Sequence, residues 1–122
     1  MHRLTLAQAN ALIDASFAKG ADLGFKPLTV TIHDPGGHLI ACQRQDGVSS
    51  RTIGEMAVER PHFIASLDTM SEGGMVPAAG GVIVCDADGT VLGAIGVTGD
   101  TSDNDEACAL AAIAAVGLKP KN

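Results

Sequence analysis

At 122 residues, with 46% hydrophobic and 18% charged side chains, the chain is one domain by size, long enough for a core and too short for two. Its net charge of −6 comes from 8 basic against 14 acidic residues, and the basic ones are scattered rather than gathered into the positive patch that a nucleic-acid surface needs. Only Phe17, Phe25 and Phe63 could stack on bases, and no stretch approaches the roughly 18 apolar residues of a membrane span, so neither a nucleic-acid nor a membrane partner is expected.

The N-terminus has no continuous apolar signal-like run, which makes the cytoplasm the default expectation. A first amphipathic helix is announced by "LTLAQ", where Thr5 and Gln8 have the spacing of a capping box. Leu6, Ala9, Ile13 and Phe17, with Leu12 alongside, keep the helical period, and Gly20 or Gly24 can end it. After Pro27 the period falls to two: "LTVTIH", the turn "DPGG" at 34–37 and the return "HLIACQR" predict a β-hairpin.

From Ser49 to Met70 the pattern is helical but broken at Pro61, so two short helices or one kinked helix are expected, followed by a glycine-rich loop over 72–81. "VIVCDADGTVLGAIGV" predicts a second hairpin, in which Gly93 and Gly96 permit a bulge or a close approach. A last helix runs through Val116 to a glycine stop. Hairpins separated by helices favour an α+β sandwich, its antiparallel sheet built of two β-hairpins and flanked by helices.

Acidic residues crowd "GVTGDTSDNDE", where Asp100, Asp103, Asp105 and Glu106 fall within seven positions. An EF-hand loop is excluded, because its sixth position would be Asp105 rather than glycine and its twelfth Ala111 rather than glutamate. A helix start fits better: Ser102 or Asp103 can cap, Asp103 and Glu106 have capping-pair spacing, and the acids oppose the helix dipole. The alternative is a ligand corner that includes Gly99, Asp103, Asp105 and Glu106.

"TVTIHDPGGHLIACQRQDG", "PHFIASL", "GGVIVCDADGTVLGAIGVTGDTSDNDEACALAAIAAVGL" and "LTLAQANALIDAS" together resemble the GlcG/HbpS-like family of heme-binding proteins, related to the C-terminal domain of PduO. The resemblance covers nearly the whole of residues 1–122 as a single domain and is most specific from Gly80 to Gly117. It implies a profilin-like α/β sandwich, homo-oligomers of dimer size or larger, and heme as the cofactor of some members. Others accompany glycolate or diol metabolism without a settled activity. The chain departs from the family pattern at Asp46-Gly47-Val48-Ser49, where relatives carry an additional helix. Since deleting a helix between a sheet and its next layer would uncover apolar surface, omission of that segment is favoured over its loss.

Candidate ligands are weighed against structural uses of the same residues. His33 adjoins Asp34, where imidazole and carboxylate can pair, or where a hydrogen bond simply holds the turn. His38 starts the return strand. His62, after Arg60 and Pro61 at a helix start, is the foremost candidate to meet an anionic ligand such as a propionate; its alternative is a half-buried helix-start histidine. The ExxE pattern of iron-handling relatives is absent, since Glu55 and Glu59 are four apart, and no metal site is expected. Cys42, Cys85 and Cys108 have neither disulfide nor zinc spacing and read as free thiols. No GxSxG or GxGxxG occurs, so no catalytic set is assigned. The leading expectation is a small-ligand-binding protein of this family with heme as the candidate ligand. The alternatives are a cofactor-independent enzyme on a small oxygenated metabolite, using His62 or the Asp103 to Glu106 carboxylates, and a non-catalytic accessory subunit.

Overall fold

A computed structural model describes residues 2–48 and 81–121 of the chain. Its elements are α1 (Leu6–Asp22), β1 (Thr29–His33), β2 (Leu39–Arg44), β3 (Gly81–Cys85), β4 (Val91–Thr98), α2 (Ser102–Ala115) and β5 (Lys119–Pro120). The broken helix expected over 49–70 and most of the loop at 72–81 lie outside the described residues, and with them His62 and Arg60.

Helix α1 begins as its sequence dictates. Thr5 Oγ1 accepts from the Gln8 N–H at 3.1 Å, and Gln8 Oε1 accepts from the Thr5 N–H at 3.0 Å, so two of the helix's orphan donors are satisfied reciprocally. Ala9, Leu12, Ile13 and Ser16 form its buried face. The hydroxyl of Ser16 is tolerated there because it donates to the Leu12 carbonyl at 2.8 Å.

Both helices close in the same way. At the end of α1 the Phe25 N–H reaches the Gly20 carbonyl and the Gly24 N–H reaches that of Ala21; at the end of α2, Leu118 reaches Ile113 and Gly117 reaches Ala114. These are Schellman closures, with Gly24 at φ 70 and Gly117 at φ 77 in the left-handed position. Phe25 and Leu118, the residues that follow, fold back onto the core.

Helix α2 is capped by Thr101, whose hydroxyl accepts from the Asn104 N–H at 3.2 Å. This corrects the expectation of Ser102 or Asp103. Ser102 already has its place inside the helix, so the cap falls on the last residue with extended backbone.

The sheet is antiparallel throughout, in the order β2-β1-β4-β3-β5. Each expected hairpin is present, and β1 pairs with β4 to join them. Both hairpins turn on one device. Asp34 Oδ1 accepts from the N–H groups of Gly36 and His38, and Asp86 Oδ1 from those of Asp88 and Thr90, all at 2.9 Å. An aspartate that mimics a backbone acceptor two residues on is a standard way to fix a turn.

Val30, Ile32, Ile95, Val97 and Val84 of the sheet pack against Leu12, Ile13, Ala109, Ala112 and Ile113 of the two helices to form the core. The result is the α+β sandwich expected. One element was not foreseen: β5, only two residues long, pairs with β3 and places Pro120 opposite Val84 at the sheet edge, where a missing N–H is tolerated.

Candidate functional site

The acidic stretch after β4 is used for tying loops. Asp100 accepts from the Lys26 N–H at 2.8 Å, from its neighbour Thr101 at 2.7 Å and from Asn104 Nδ2 at 2.8 Å. These bonds, that from Lys26 foremost, lower its pKa to about 2. The Asp100 N–H in turn donates to Oδ1 of the fully buried Asp105 at 3.0 Å.

Gly99 passes so close to the preceding loop that a Cβ there would strike the Pro27 carbonyl oxygen and crowd Leu28. Asp103 is exposed in the first turn of α2, and Glu106 is half-buried one turn further on. The corner thus gathers Gly99, Asp103, Asp105 and Glu106 into one region, with Gly99 and Asp105 in structural contacts.

His33 is elsewhere. Thr29 sits opposite Thr98, next to this corner, and His33 is four residues along β1, opposite Ala94, about 13 Å away at the ordinary strand rise. Its expected partner is also taken: Asp34 is held by the turn and faces His38 Nδ1 at 3.2 Å. The turn N–H groups, that of His38 first, pull the Asp34 pKa below the ordinary carboxylate range.

What surrounds His33 follows from alternation. Val30 and Ile32 enter the core, so Thr29, Thr31 and His33 take the other face of the sheet. Pairing adds Thr98, Gly96 and Ala94 from β4 to that face, opposite Thr29, Thr31 and His33 in that order. Gly81 and Ile83 of β3 flank Gly96 and Ala94. The floor between the polar groups is therefore made of glycine and alanine.

His33 is 8% and Thr98 6% exposed. Yet His33 Nδ1, Thr31 Oγ1 and Thr98 Oγ1 are buried with no hydrogen-bond partner among the described residues. Each such group carries a penalty of about 1–3 kcal/mol, so three on one strip of a sheet call for an explanation. Burial pushes the His33 pKa down, against a smaller upward pull from Asp34; the imidazole is neutral at pH 7 and one ring nitrogen is free to accept a hydrogen bond or coordinate a metal. Sequence reading singled out His33 but not Thr31 or Thr98.

Other chemistry finds little support among the described residues. Burial raises the pKa of the Cys85 and Cys108 thiols, which keeps them protonated and poor nucleophiles. No group of three or more His, Cys, Asp or Glu side chains there could hold a metal ion. No described helix is long and apolar enough to cross a membrane.

Two helices on an antiparallel sheet of this order, with a polar strip on the far face, define a small α+β domain with a candidate ligand face. Its relatives are consistent with that class. The family model described as "Haem degrading protein HbpS-like" matches residues 4–54 and 47–114, and the chain belongs to the HbpS-like family. Three solved structures share the fold. The Klebsiella pneumoniae protein ORFY is 19% identical with a TM-score of 0.72, covering 95% of this chain and 92% of that one. The PduOC:heme complex is 21% identical at 0.71, covering 98% and 99%, and HbpS is 24% identical at 0.70, covering 96% and 92%. No curated protein sequence matches the chain.

Proposed function

We propose that this protein binds heme, or a related small anionic ligand, against the face of the sheet that carries Thr31, His33 and Thr98. The observation that carries the proposal is the set of three buried polar atoms without partners, all on one strip with a glycine and alanine floor. A ligand that supplied hydrogen-bond partners there would remove a penalty the protein otherwise bears.

The polar groups of the strip suit heme. His33 would hold the iron through its imidazole, and Thr31 and Thr98 would offer hydrogen-bond partners to the ligand's polar groups. Bound heme would supply a redox-active iron centre; the protein would orient it and limit its contact with water. The family description and the heme in the PduOC structure support the choice of ligand. The scarcity of aromatic side chains, 2% of the chain, weakens it, because flat apolar walls are the usual lining of such a site.

Two further parts belong to this reading. The protein works as a homo-oligomer, as the family resemblance implies, and its place is the cytoplasm, the default expectation from the sequence. The two segments matched by the family model overlap at 47–54, where the sequence departs from the family pattern, which supports a helix missing between two matching halves.

Hemin titration of the purified protein, followed by Soret absorption, tests the proposal. A saturable, stoichiometric band shifted from that of free hemin is expected. Its absence at stoichiometric protein overturns heme as the ligand.

A further inference from the structure

A cleft of ≈ 550 Å³ opens where the C-terminal end of α1 meets the ends of β1 and β2, with Ala21, Phe25 and Pro27 on its apolar side and Lys26, Arg44 and Asp46 at its rim. Its volume lies in the range of small-molecule sites. No contact described for the His33 strip requires it, and His33 itself lies four residues along β1 from Thr29, the partner of Arg44.

The walls are fixed in advance. Gln45 bridges the two sides, donating its N–H to the Leu28 carbonyl at 3.0 Å and accepting from the Leu28 N–H through Oε1 at 2.8 Å. Phe25 is anchored by its N–H on the Gly20 carbonyl at 2.9 Å, and Lys26 by its N–H on Asp100 at 2.8 Å. A ligand entering this cleft would pay little to order its backbone, the main cost falling on the Arg44 and Lys26 side chains.

Charge sets the class of ligand. In a chain of net charge −6, the cleft is lined by Lys26 and Arg44 against Asp46; Asp100 lies within electrostatic reach of Lys26, which leaves Arg44 as the principal group for an anion. A guanidinium offers a fork matched to a carboxylate, and Asp46 disfavours a second negative charge on the ligand. We propose that the cleft is a binding site for a small monocarboxylic acid with an apolar body. Arg44 and Lys26 take the carboxylate, and Phe25 and Pro27 take the body.

The test uses the full chain, 15N-labelled, titrated with benzoate at constant ionic strength. Saturable shifts at the amides of Ala21, Lys26 and Gln45 are expected, with affinity about tenfold lower in Arg44→Gln and no comparable binding of benzyl alcohol. Lys26→Gln serves as a second variant, each checked for folding by circular dichroism; both replace exposed side chains. Absence of saturable shifts overturns the site. Equal affinity for benzyl alcohol, or unchanged affinity in both variants, overturns the carboxylate class. His33→Gln is expected to leave benzoate binding unaltered, and a loss there places the benzoate on the sheet face instead.

Discussion

Asp100 shows how a single side chain can resemble a site and serve as a clasp. Its carboxylate joins the loop before β1 to the start of α2 through three hydrogen bonds, and its pKa falls from 3.8 to about 2. A depressed carboxylate pKa contributes stability that is complete above the unfolded value, 3.8, and is lost as pH falls through the folded value, about 2. Asp100→Asn is therefore expected to be less stable than the wild type at neutral pH, and to lose less on acidification across that interval. Urea midpoints measured along a pH series will show it; parallel curves for the two proteins would contradict this account.

At His33 the sign runs through the neutral form. Its pKa is lowered in the fold from 6.5, so the unfolded chain takes up a proton that the folded chain resists. The contribution is complete above pH 6.5 and declines as pH falls below it. His33→Gln is expected to flatten the dependence of the urea midpoint between about pH 7.5 and about pH 5. NMR titration of the ring resonances should place the midpoint below the ordinary value, and one at or above it would contradict the burial argument.

Among the elements, the tight junction between β4 and α2 is sensitive to volume. Gly99 lies at φ 140, and a Cβ there would strike backbone of Pro27, which cannot swing aside as a side chain tip would. Gly24 also has a left-handed φ, 70, but its Cβ would meet nothing within 4 Å. Gly24→Ala is expected to destabilise by about 1–2 kcal/mol, the conformational penalty alone, and Gly99→Ala by more. Thermal denaturation of the two variants compares them directly, and equal losses would contradict the close approach.

These elements also show what sequence could reveal. The capping box of α1 and both hairpins were legible because their signals are local: Thr5 with Gln8, and an aspartate and glycine between alternating strands. The cap of α2 was misplaced because Thr101, Ser102 and Asp103 are all good capping residues, and only the backbone decides among them. Strand β5 carries too few residues for any period. The strip was half legible, since alternation put Thr31 and His33 on one face; Thr98 joins them only through the pairing of β1 with β4, which no local pattern specifies.

For the molecule as a whole, the sheet has one face packed by α1 and α2 and another that gathers polar atoms over small residues. Membership in the HbpS-like family rests on the match over residues 4–54 and 47–114; the binding of heme by this chain is a proposal that the strip and the family jointly support. Of the histidines weighed as ligands in the sequence, His33, His38 and His62, His33 and His62 are kept as candidates for such a ligand. The decisive comparison is hemin titration of the wild type, His33→Ala and His62→Ala, each shown to be folded, with Soret absorption as the readout. If heme binds on the strip, the shifted band weakens or moves in His33→Ala, and His62→Ala tests the second candidate independently. A band that His33→Ala leaves intact, or that only His62→Ala removes, would contradict this account.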